Sequence, residues 1–114
     1  MHSIKARAAW AVLILLAAGA ASAQQVDGQK LAASKACMAC HQVDSKRVGP
    51  PLRSVAERYA GQSEAAAYLA NKIRSGGRGA WGAVPMPAQN HVSEQDAKQL
   101  AEWVLSLAPP KAKP

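Results

Sequence analysis

The sequence predicts an all-α domain of short helices joined by loops. Three observations predict it: apolar residues recur at helical spacing in successive segments, glycine or proline closes each segment, and no run alternates as a half-buried strand would. Asp27 is placed to cap a first helix running from about Gly28 towards Cys37, with Leu31, Ala32 and Ala36 on its apolar side. Residues 42–51 form a polar loop, and Pro51 suits the first turn of a second helix through Leu52, Val55, Ala56 and Tyr59, stopped at Gly61. Ser63 starts a third helix, whose Ala65, Leu69 and Ile73 share one face, and Ser75, Gly76 and Gly77 end it.

Residues 76–90, GGRGAWGAVPMPAQN, hold too much glycine and proline for a helix or a central strand. A loop of that length inside a small domain is usually functional, and it is read so here. Ser93 with Asp96 approximates a capping box, and Ala97, Leu100, Ala101, Val104 and Ala108 mark the buried stripe of a last helix that Pro109 and Pro110 stop. Residues 111–114 read as a frayed tail.

Residues 1–23 read as a cleaved secretory signal peptide: Lys5 and Arg7 precede an apolar run from Ala8 to Ala21, and Ala21, Ser22 and Ala23 form a small-x-small processing site. The run is about 14 residues, short of the roughly 20 that a membrane span needs, which disfavours an uncleaved anchor. One domain, residues 24–114, is expected after cleavage, exported to the periplasm, with no stable membrane insertion.

That domain is poor in material for a core. The chain has no phenylalanine, and Trp10 lies in the leader, so Trp81, Trp103, Tyr59 and Tyr68 are the large aromatics that remain. Such a chain would gain from a large apolar cofactor. The net charge is +7, of which Lys5 and Arg7 belong to the leader. Its cations form no dense run, and the protein is exported, so nucleic acid is excluded as a partner. Acidic protein surfaces fit the balance better, with solubility as the plain alternative.

The two cysteines of the chain fall in Cys37-Met38-Ala39-Cys40-His41. Cys-x-x-Cys-His is the attachment signature of a c-type haem: each sulfur adds across one haem vinyl group, and the adjoining histidine is held beneath the iron as proximal ligand. A redox dithiol with this spacing sits in a βαβ context that the helical pattern lacks. A disulfide here would close too small a loop to restrict the unfolded chain much. A zinc site lacks a fourth ligand, since His91 is the one further histidine outside the leader. One covalently bound haem c also answers the shortage of core, packed against Leu31, Leu69, Ile73, Leu100 and Val104, so the apoprotein is expected to fold poorly.

The sixth position on the iron decides between an electron carrier and an enzyme or gas sensor. Met38 lies between the anchoring cysteines and cannot reach the far face. Met86 stands in Val84-Pro85-Met86-Pro87, stiffened by a proline on each side, where a core-filling methionine would need neither. Met86 is therefore favoured as the distal ligand, histidine/methionine being a known axial pair, with His91 as runner-up.

CMACH, Val48-Gly49-Pro50, Trp81-Gly82 with Pro85-Met86-Pro87, and Ala101-Glu102-Trp103-Val104-Leu105-Ser106 together resemble the small class I cytochromes c of bacteria, the five-fifty-one type. The resemblance spans nearly all of residues 24–114. It implies the class I cytochrome c fold, short helices wrapped around one covalently bound haem. It also implies that the Pro50 carbonyl accepts a hydrogen bond from His41, orienting the ring. Trp81 is implied as donor of its indole N–H to a haem propionate. Lys72 stands where the family often has an arginine doing the same, a non-bidentate replacement. Asn90 matches the family's asparagine near the ligand sulfur, but one extra residue after Met86 leaves Gln89 as an alternative.

The function these readings predict is a soluble, monomeric carrier, not an enzyme, that shuttles single electrons between respiratory redox partners. Lys35, Lys46 and Arg47 are expected near an exposed haem edge, with Arg53, Arg58, Arg74 and Arg78 extending the positive field towards acidic-surfaced partners. A nitrite reductase, a terminal oxidase and an upstream cytochrome complex are the candidates that the resemblance suggests. A module bound within a larger respiratory complex is the remaining alternative.

Overall fold

The computed structural model describes residues 27–109, so the expected leader, residues 1–23, lies outside it, as do residues 24–26 and 110–114. Four α-helices and one small hairpin follow in order: α1 through residues 27–34, α2 Leu52–Tyr59, α3 Ala65–Ser75, β1 Gly77–Gly79, β2 Gly82–Met86 and α4 Glu94–Ser106. α4 packs across both α2 and α3. Leu52, Val55, Leu69, Val92, Leu100 and Val104 lie in the core where these helices meet.

α1 ends sooner than its apolar pattern predicts, and Asp27 is already helical rather than a cap. The Ser34 hydroxyl bonds back to the Leu31 carbonyl at 2.8 Å, and Ala36 takes a left-handed backbone with φ 63°. Left-handed alanine costs about 1–2 kcal/mol, and its effect is to redirect the chain. Cys37–Ala39 then winds as a separate 3-10 turn, so the cysteines stand on their own short element rather than on the end of α1.

The first and last helices of the described region meet at Gly28 and Trp103. Gly28 is buried against Trp103: a Cβ there would lie 2.5 Å from the indole Cδ1. Trp103, at 4% exposure, thus joins the buried face of α4, which the spacing had assigned only to Ala97, Leu100, Ala101, Val104 and Ala108. Ala108 lies beyond the end of the helix and is half-buried. The Ser93 side chain accepts from the Asp96 N–H at 3.1 Å, the contact that opens α4.

Pro51 is the N-cap of α2 rather than part of its first turn, and the helix's first free N–H groups are taken by the preceding loop: Leu52 N–H donates to Gln42 O at 2.9 Å, and Arg53 N–H to Val43 O at 3.0 Å. Arg53 ties the same loop down, bonding Asp44 and the Leu107 carbonyl. α3 begins at Ala65 with Glu64 as its N-cap, two residues after the expected start at Ser63.

The expectation of a strandless chain is corrected between α3 and α4. β1 and β2 pair antiparallel, Gly77 with Met86 and Gly79 with Gly82, with an irregularity between. Gly79 and Gly82 flank the Ala80–Trp81 turn with positive φ values of 86° and 117°. Three of these four paired residues are glycines, so the ladder is made by backbone groups and leaves no alternating side-chain pattern to read.

Candidate functional site

Between the hairpin, α2, α3 and the 42–51 loop lies a cavity of about 510 Å³, within the range of small-molecule sites. Leu52, Val55, Leu69, Ile73, Ala101 and Val104 supply its apolar floor. The sequence placed Leu31 and Leu100 in that wall as well. Leu100, 2% exposed, is instead spent between helices, and Leu31 packs on the outside of the core cluster.

The 3-10 turn sets Cys37 and Cys40 one turn apart, with Cys40 N–H and His41 N–H both donating to Cys37 O, at 3.2 and 3.0 Å. Cys40 and His41 line the cavity, whereas Cys37 lies half-buried against the core, and burial pushes its thiol above the ordinary value. His41 is fixed from behind. Its Nδ1 lies 2.8 Å from Pro50 O, which makes Nδ1 the protonated nitrogen and leaves Nε2 as the one able to bind a metal. Gly49 permits that approach, since a Cβ on it would lie 2.6 Å from His41 Cε1, and its own N–H donates to Cys40 O at 2.7 Å.

Met86 reaches the cavity from the end of β2, and its backbone is held as closely as the histidine ring. It pairs with Gly77, and Gly76, at φ 72°, passes so near that a Cβ would be 2.6 Å from Met86 O. Gln89 N–H donates to Ile73 O at 2.9 Å, closing the loop onto the end of α3. The rigidity ascribed to Pro85 and Pro87 is thus shared with backbone pairing and glycine contacts.

Pro50, Trp81 and Lys72 also line the cavity. Asn90 does not: it is exposed, and Gln89 is turned to Pro87 O at 2.9 Å, so neither amide stands in the wall. His91, the runner-up ligand, is exposed and faces Lys35 O at 3.3 Å, away from the lining residues. Sequence reasoning missed the Tyr59–Tyr68 ring pair in the wall, with centroids 5.3 Å apart, and the Arg58 guanidinium, 3.9 Å from the Trp81 ring centroid. The two tyrosines had been noticed only as scarce aromatic bulk.

The charged residues of the lining are Lys46, Lys72 and Arg78, and no carboxylate stands among them. An apolar cleft with a held imidazole, a thioether, the Cys40 thiol in its wall with Cys37 one turn away, and a cationic rim suits a flat apolar group that carries a metal and anionic edges. The residues therefore fit a haem.

A family model described as cytochrome c matches residues 25–108. The chain belongs to the cytochrome c family. It is 54% identical over 79 residues to cytochrome c-552 of Hydrogenobacter thermophilus, a span covering 69% of this chain and 80% of that one. It is 48% identical over 98 residues to cytochrome c-552 of Nitrosomonas europaea, covering 86% and 91%. The crystal structure of wild-type Nitrosomonas europaea cytochrome c552 superposes with a TM-score of 0.68 at 51% identity, covering 69% of this chain and 98% of that one. As a cytochrome c with Cys37 and Cys40 in the family's attachment spacing, the protein carries one covalently bound haem c and is an electron carrier rather than an enzyme.

Proposed function

We propose that this cytochrome c holds its iron between His41 Nε2 and the Met86 sulfur and shuttles single electrons between respiratory partners in the periplasm. The observation that carries the reading is that His41, fixed by Pro50, and Met86, fixed by Gly76 and Gly77, line one apolar cavity. When bound, haem c supplies a one-electron iron couple. The chain's part would be to hold the iron with His41 and Met86, keep water out with Leu52, Val55, Leu69 and Val104, and keep that arrangement in both oxidation states. A thioether ligand and an apolar wall both favour the less charged ferrous state, raising the potential above that of a bis-histidine site.

Trp81 and Lys72, both in the wall, are proposed to meet the haem carboxylates, while Asn90 and Gln89 lie outside the lining. Residues 1–23, outside the described region, are proposed as the export leader, consistent with attachment of haem on the outer side of the inner membrane. Among the described residues no helix is long and apolar enough to cross a membrane.

The partners proposed are acidic-surfaced redox proteins, met through brief contacts by a monomer. The positive field is narrower than the count of cations suggests, because Lys35, Arg53 and Arg74 are paired with Asp96, Asp44 and Glu94. Lys46 and Arg78 at the cavity, with exposed Arg47, remain the ones best placed to steer.

Carbon monoxide tests the ligand set: the ferrous protein is expected to take up little at neutral pH. Ready binding would mean a vacant or labile position and a sensor or enzyme instead.

A further inference from the structure

Arg58 was read from the sequence only as part of a surface field, and the structure gives it other work. Its guanidinium carbon lies 3.9 Å from the centroid of the Trp81 ring, and its Nη1 donates to Ala80 O at 2.6 Å. Arg58 sits in the last turn of α2, while Ala80 and Trp81 form the turn of the hairpin and line the cavity, so one side chain outside the lining grips both a ring and a carbonyl of the cavity wall. The grip matters because little else holds that turn. Trp81 is 38% exposed, and the paired residues on either side of it, Gly79 and Gly82, bring no side chains to pack.

We propose that Arg58 is a positioning residue for Trp81, fixing the indole as the wall of the haem site and so holding its N–H in place for a haem carboxylate. The proposal rests on the reading of Trp81 given above. Guanidinium suits the task because it is flat and can stack on the indole while its fork still bonds a carbonyl; an ammonium can match the charge but not the plane. A cation over the indole face draws electron density from the ring, which strengthens the N–H as a donor. Removing the stack should therefore both loosen the indole and weaken its bond to the carboxylate. The carboxylate then keeps more of its charge, favouring ferric iron and lowering the potential.

The test uses the haem-loaded protein and its variants Arg58→Met, Arg58→Lys and Trp81→Phe. Two properties are read: hydrogen exchange of the Trp81 indole proton by NMR, with buried Trp103 as internal reference, and the reduction potential. Arg58→Met is expected to speed Trp81 exchange about tenfold or more, leave Trp103 unchanged and lower the potential. Arg58→Lys should also give faster Trp81 exchange than the wild type, although the charge is kept.

A lowered potential in Arg58→Met with Trp81 exchange unaltered would show a simple charge effect and overturn the proposal. Wild-type exchange in Arg58→Lys would overturn the stack as the positioning contact. Trp81→Phe separates the underlying reading: if it leaves the potential unchanged, Trp81 does not serve a haem carboxylate, and both fall. If Trp81→Phe shifts the potential and Arg58→Met shifts neither property, the role of Arg58 alone is refuted.

Discussion

His41 Nδ1 lies 2.8 Å from the carbonyl oxygen of Pro50, and Gly49, the residue before that proline, is packed against the same imidazole. The ring is thus held by a hydrogen bond whose geometry depends on the absence of a side chain next door. Gly49→Ala puts a Cβ 2.6 Å from Cε1, so ring or loop must shift. Such overpacking costs about 1–3 kcal/mol. The expected outcome is a lower denaturation midpoint together with a changed potential; a fall in stability with the potential unmoved would mean that the ring does not depend on this packing.

Gly28→Ala probes the other end of the molecule. Alanine in place of a helical glycine gains up to about 1 kcal/mol of backbone stability, but its Cβ would stand 2.5 Å from Trp103 Cδ1, in a buried contact. Overpacking at about 1–3 kcal/mol outweighs the gain. Denaturant titration should show a net loss while the visible spectrum keeps its band positions, because neither residue lines the cavity.

Met86→Ala should leave haem attached, since the thioethers at Cys37 and Cys40 do not depend on it. Loss of the sulfur opens the iron and removes a ligand that favours the ferrous state, so the variant is expected to bind carbon monoxide and to show a lower potential. Absorption and potential both equal to the wild type would eliminate Met86 as ligand.

Electrostatic steering by Lys46, Arg47 and Arg78 predicts a rate with an acidic redox protein that falls steeply with salt. Steering raises association by about 10–1,000-fold, so most of a decade should be lost between low and high ionic strength. Stopped-flow rates that stay flat across that range would rule it out.

The helices were legible because α2, α3 and α4 each carry an apolar stripe with a stop behind it, and Ser93 announces the start of α4. The hairpin was not, because Gly77, Gly79 and Gly82 pair through backbone alone. Cys37, Cys40 and His41 were singled out by their spacing and Met86 by its two prolines, and the fold brings Cys40, His41 and Met86 to one cavity. What sets their geometry was only partly so: Gly76 and Gly49 act by leaving room for Met86 and His41, a property visible only once the remote segment is in place. Leu100 was misassigned to the cavity because a stripe on α4 does not say which neighbour each residue meets. Arg58 is read from the sequence only as a surface charge for the same reason, since its partner ring lies across the fold in the hairpin turn.

The absorption spectrum of the purified protein in both oxidation states bears most directly on the iron and its two ligands. The reduced form is expected to show the sharp bands of a six-coordinate c-type haem, and the oxidised form a weak far-red band from sulfur to iron. Haem bands without that far-red feature, or a spectrum with no haem at all, would contradict the pairing of His41 with Met86.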